Sequence, residues 1–210
     1  MPSLEILTAF FVTTAVFALV PGPAMLYAAA QSVARGWRPG LMATLGIHVG
    51  GYVHVLAAAA GLSALFHAVP MLYLVVKIAG ALYLVWLGIA MFRSPVAGDV
   101  RVPAVAVRTG RRAFVESIAV EVLNPKTALF FLALLPQFTD PAAVFPLWLQ
   151  ILVLGTIVNL MFSASDVVGV LLAGALIARL GRSGRLQRWL RRAGGAVLVG
   201  LGVNLALQRS

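Results

Sequence analysis

Two tripeptides and three charged residues are the places where this chain could do chemistry. Pro21-Gly22-Pro23 and Asn124-Pro125-Lys126 each interrupt an apolar run. A helical proline has no N–H and crowds the preceding turn, so these positions predict carbonyls released at Phe17, Leu19 and Glu121. Bare carbonyls are tolerated at membrane depth only where they are buried in protein or face a polar cavity. Each break also starts a new half-helix, near Ala24 and near Thr127, whose first N–H groups carry partial positive charge. One such break can be no more than a kink. Two of them offer both signs of partial charge, which suits a zwitterion such as an amino acid better than a sugar or an inorganic ion.

Lys126 sits inside its apolar run, where a lysine costs about 2.5–3.5 kcal/mol on insertion scales and therefore needs a partner or a wet cavity. Two roles are open to it: a ligand for a substrate carboxylate, or a structural lysine that snorkels or pairs internally, with Glu121 the candidate partner. Glu121 is open to two readings as well, a proton-coupling group or, like Glu116, a residue at a cavity mouth facing the cytoplasm. Thr156, Asn159, Ser163 and Asp166 recur at helical spacing and share one stripe. Hydroxyls and amides on that stripe can be interhelical glue, and Asn159 is also a candidate for substrate binding. Asp166 is the candidate for proton coupling, because a carboxylate at membrane depth can exchange its charge for a proton. Lys77 is close enough to its span's outer end to snorkel. His48 and His54 do not share a helical face and have no acidic or Cys cluster beside them, so neither a metal site nor a cofactor is expected. Gly46 and Gly50 in GIHVG form a small-xxx-small pattern that favours close helix packing.

The elements that must position these groups follow from composition. Of 210 residues, 61% are hydrophobic and 10% charged, less than half the charged share of roughly 25% in soluble domains. That excludes an ordinary soluble fold. The net charge of +10 would suit nucleic acid in a soluble protein. Here the cations lie in short stretches between apolar runs without a nucleic-acid-binding pattern, which points to a lipid surface and no nucleic acid. The absence of cysteine excludes disulfides and thiolate sites.

A hydrocarbon core of about 30 Å takes roughly 20 apolar residues per helix. Six runs qualify: residues 4–30, 41–66, 71–92, 114–135, 144–172 and 193–207, the last short enough that its helix is expected to start near Leu186. The opening MPSLEILTAFF lacks a basic start and a cleavage signature, so the first run reads as a retained span. Arg35 and Arg38, then Arg93, Arg101, Arg108, Arg111 and Arg112, then Arg179, Arg182, Arg185, Arg188, Arg191 and Arg192 fall in alternate connections. They make up thirteen of the sixteen Lys and Arg. The positive-inside rule places those connections in the cytoplasm and both termini in the periplasm, and Trp37, Trp86, Trp148 and Trp189 fall near span ends, where indoles prefer the interface. A Pro- and Gly-containing basic linker over residues 94–112 separates residues 1–93 from 113–210. The expected fold is an all-α membrane protein of six transmembrane helices, two inverted three-helix repeats with helices one and four broken. In that arrangement discontinuous helices meet at a midplane site.

Several segments resemble the lysine exporter family of small bacterial amino-acid efflux proteins (LysE/RhtB type): VPGPAML, SVARGWRPGLMATLGIHVGGYVHVLAAAAGL, KIAGALYLVWLGIAMFRS and LNPKTALFFLALLPQF, which cover most of residues 15–140. The resemblance implies a six-span inner-membrane exporter of amino acids or close derivatives, driven by the proton motive force. It marks Pro21, Gly22, Pro23, Asn124, Pro125 and Lys126 and extends less directly to Asp166. Glu121 departs from it, since an uncharged residue is more usual there, and that leaves the charge preference for substrate open. Two other classes compete. A passive channel for small zwitterions would show rings of charged or carbonyl groups. An intramembrane enzyme would show a hydrolytic constellation or a cofactor loop, and no such pattern is found.

Overall fold

A computed structural model describes residues 2–68 and 109–180, with single helical positions among residues 75–93 and 192–207. The third and sixth spans, most of the linker over 94–112, Lys77 and Trp189 lie outside the described residues. Among the described residues every regular element is helical.

Helix α1 (Leu4–Leu19) starts on Ser3, whose hydroxyl accepts the Ile6 N–H at 3.4 Å, and stops at Val20, one residue before the first proline. Helix α2 (Pro23–Arg35) restarts with Pro23 at its first position, where the missing N–H costs nothing. It ends at Gly36, whose φ of 89° is the left-handed conformation that suits glycine. The axes of α1 and α2 meet at 47°.

Helix α3 (Trp37–Ala68) and helix α6 (Leu147–Leu180) are long and apolar enough to cross a bilayer, and α3 exceeds the span expected from the apolar run at both ends. Helix α4 (Gly110–Val122) begins within the expected linker and is followed by helix α5 (Pro125–Leu129), bent from it by 41°. Asn124 caps α5 by accepting the Lys126 N–H at 3.1 Å. The chain then widens into a π turn over Phe130–Leu134 and tightens into a 3-10 turn over Leu135–Phe138. Pro136, which cannot donate to the preceding turn, accounts for the change of pitch. Counting each bent pair as one crossing, the described residues supply four apolar spans.

Helix α3 is the hub and packs on α2, α4 and α6. A Cβ on Gly46 would collide with the Phe114 carbonyl and the Ser117 hydroxyl, and one on Gly50 would lie 2.9 Å from the Ile118 carbonyl, so the GIHVG pattern is the contact with α4. Gly51 admits the Asn159 side chain of α6 in the same way. Phe10, Phe17, Phe130, Phe131, Ile151 and Leu154 fill the larger core. Large apolar side chains such as Leu4, Val12, Leu56 and Leu171 point outward, the surface expected against lipid. Trp37 and Trp148, both half-exposed, stand at the first turns of α3 and α6.

Candidate functional site

The two breaks face each other. At the first, the turn tightens, so the Phe17 carbonyl accepts the Val20 N–H at 3.2 Å rather than standing bare, and the carbonyls put to use are those of Ala18 and Val20. Ser165 of α6 donates to the Ala18 oxygen at 3.0 Å, and the Lys126 ammonium, arriving from the second break, donates to Val20. The sequence-based expectation of a released Phe17 carbonyl is corrected accordingly. At the second break the turn tightens in the same way, so the Glu121 carbonyl expected to be released accepts the Asn124 N–H at 2.9 Å and is shared with His54 Nε2 of α3, also at 2.9 Å. A carbonyl only accepts, which assigns the proton of that imidazole to Nε2.

Between the breaks lies a cavity of about 20 Å³, room for about one water molecule. Its wall takes Ala18 from α1, Gly22 from the first break, Ala24 and Met25 from α2, and Ile47 from α3. Glu121 closes α4, Asn124, Lys126 and Thr127 come from the second break, and Asn159, Phe162, Ser163 and Asp166 form one stripe of α6. Thr156, on the same stripe in sequence, lies off the wall and bonds back to the Leu152 carbonyl at 2.8 Å. Pro21, Pro23 and Pro125 are also off the wall and exposed. Of the candidate binding residues, the prolines therefore shape the breaks, while Gly22, Asn124, Lys126 and Asn159 line the space between them.

Lys126 is 7% exposed and its ammonium lies 5.2 Å from the Phe17 ring and 5.3 Å from the Phe162 ring. Two aromatic faces and a backbone carbonyl offset part of the cost of burying the cation. The charges that bear on it are those of Asp166 and Glu121. Glu121 is buried rather than at a cavity mouth, and it accepts from Asn124 Nδ2 at 2.9 Å. Glu116, by contrast, is half-exposed, paired with Arg112 at 3.1 Å and bonded to the Tyr27 hydroxyl at 3.2 Å. Asn124 thus caps α5, holds Glu121 and donates to Thr127 at 3.0 Å. Asn159 is tied to the His48 carbonyl at 3.0 Å, and His48 Nδ1 meets the Ser163 hydroxyl at 2.8 Å.

The aromatic partners of Lys126 and the two histidine contacts were not legible from spacing, because each joins residues far apart in the chain. Only Thr127 carried a local signal, three residues after a capping Asn.

The sequence profile of the LysE type translocators matches residues 15–209, nearly the whole chain and both breaks. The chain belongs to the LysE type translocator family. It is 35% identical over 196 residues to an uncharacterized membrane protein of Pseudomonas aeruginosa, covering 90% of this chain and 88% of that protein. It is 29% identical over 201 residues to the homoserine/homoserine lactone efflux protein of Salmonella typhimurium, covering 96% of each. It is 33% identical over 135 residues to the leucine efflux protein of an Enterobacter species, covering 64% of this chain and 62% of that protein. No solved structure matches. The family name and the two efflux relatives indicate a membrane transporter, not an enzyme.

Proposed function

We propose that this LysE-family translocator exports amino acids or close derivatives from the bacterial cytoplasm in exchange for protons. The observation that carries the reading is the cavity itself: one cation and two carboxylates from three different elements converge between two chain breaks. Homoserine, homoserine lactone and leucine are the compounds named for the relatives, and all three carry a primary amine.

In this reading each bent helix pair is one broken span of an inverted repeat, the cavity lies near the midplane, and both termini face the periplasm. Lys126 and the uncapped N-terminus of α2 hold the acyl oxygens of the substrate, with Gly22 leaving space for them. Asn124 and Asn159 orient it by hydrogen bonds, while Pro21, Pro23 and Pro125 keep the helices open at the breaks. Asp166, with Glu121 near it, gives up and regains the coupling proton. The cavity is far smaller than an amino acid, so the conformation is a closed one, and the helices around the cavity part on one side at a time to load and release.

The test is accumulation of radiolabelled leucine and homoserine in inverted vesicles that carry the protein. Uphill uptake that appears only with an imposed proton gradient supports the exporter. Gradient-independent equilibration makes the protein a channel, and no flux of either compound removes this substrate class. Pro23→Ala and Pro125→Ala, expected at normal protein levels, should lose uptake. Full activity in both would reduce the breaks to kinks.

A further inference from the structure

Three charges share the cavity, and only two are satisfied from within the protein. Lys126 has the Val20 carbonyl and two aromatic faces. Glu121 accepts from Asn124 and is bonded by Thr127. Asp166 is 7% exposed, lines the same wall, and has no hydrogen bond to its carboxylate among the described residues. A carboxylate at this depth without a hydrogen bond of its own is costly even with the Lys126 charge nearby, and it favours taking up a proton or a further cation.

The groups facing Asp166 offer no other partner. Lys126 of α5 bears on it but is anchored at Val20, and Glu121 of α4 carries the same sign. The wall residues from α1, α2 and α3 are Ala18, Gly22, Ala24, Met25 and Ile47, and the imidazole of His48 is engaged by Ser163. A metal ion would need several oxygen ligands and would meet the Lys126 charge directly. An amine-bearing solute with an acyl oxygen turned toward Lys126 meets neither objection.

We infer that the Asp166 carboxylate is a shared site that holds either a proton or the protonated amine of the substrate but never both, so that a free amine is the feature by which substrates are selected. This rests on the exporter reading and deepens it. Facing the cytoplasm, the incoming ammonium takes the carboxylate and the proton leaves to water on that side. Facing the more acidic periplasm, a proton returns to the carboxylate and the ammonium is released. Exchange then follows from competition at one group, without a second ion site.

Binding to the full-length purified protein tests this with leucine, leucine methyl ester and N-acetyl-leucine, and with homoserine, its lactone and the N-acetyl lactone. Calorimetry in two buffers of different ionisation enthalpy counts the protons released, and vesicle uptake is measured on the same preparation. The amino acid, the ester and the lactone should bind, each displacing one proton on the acid side, with affinity falling about tenfold per pH unit of acidification there. The N-acetyl compounds should bind at least about tenfold more weakly. Asp166→Glu should keep the pH slope and Asp166→Asn should lose it. Proton-driven uptake combined with equal binding of N-acetyl compounds, no binding, or no proton release overturns the shared site and leaves the exporter reading standing. Loss of proton-driven uptake altogether overturns the exporter reading, and the shared site falls with it.

Discussion

Gly22 and Lys126 touch across the two breaks, such that a Cβ built on Gly22 would lie 2.7 Å from Lys126 Cδ. The backbone of Gly22 is extended, with φ −112° and ψ 176°, so alanine strains nothing locally. What must move is the lysine stem, a flexible chain that gives way cheaply. Gly22→Ala should therefore fold at wild-type levels but draw the ammonium off the Val20 carbonyl. Its apparent affinity for exported substrate should change severalfold with little change in thermal midpoint. Unaltered transport kinetics would mean that the position of Lys126 does not matter to binding.

The glycines of α3 should separate by what they touch. At Gly46 an added methyl meets a backbone carbonyl of α4, which cannot move without parting the helices. Gly46→Ala should cost about 1–3 kcal/mol. Gly61 has open space around it, and Gly61→Ala should be neutral or gain up to about 1 kcal/mol from helix propensity. Thermal unfolding in one detergent checks both, and equal effects would contradict the packing role of GIHVG.

Orientation is testable because the chain has no cysteine. Ala142 is exposed in the connection before α6, which carries no basic residue, while Gly184 lies in the Arg-rich connection outside the described residues. Impermeant thiol labelling of intact cells should modify Ala142→Cys and spare Gly184→Cys. The reverse pattern would invert the topology.

What the sequence revealed here was set by local chemistry. Proline in an apolar run stops a helix wherever it occurs, so both breaks were legible, as were Lys126 and Asp166, because a charge among apolar residues has to be explained. The choice of carbonyl was not legible. Prolines at positions 21 and 23 point to Phe17 and Leu19, yet the tightened turn reclaims Phe17 and the distant Ser165 and Lys126 select Ala18 and Val20. Which of its two readings suits Glu121 was not legible, because its burial depends on α3 packing against α4 through Gly50. The π turn over Phe130–Leu134 sits within a run whose composition is that of any apolar helix.

The last expectation separates the two central charges. In the exporter reading Lys126 faces the acyl oxygens and Asp166 exchanges a proton against the amine, so removing each should break a different part of the cycle. Asp166→Asn keeps an oxygen that can accept from an ammonium but loses the charge. It should retain substrate exchange across the membrane with weakened, pH-independent affinity, and lose accumulation driven by a proton gradient. Lys126→Met keeps the carboxylate that titrates and loses a charge-assisted hydrogen bond, worth roughly 1.5–3 kcal/mol. Its affinity should fall by about ten- to a hundredfold in both assays, while the dependence on pH keeps its slope. Exchange and gradient-driven uptake measured in the same vesicles give the two patterns side by side. Wild-type coupling in Asp166→Asn would remove that residue from proton transfer, and an unchanged affinity in Lys126→Met would leave the lysine only its structural bond to Val20.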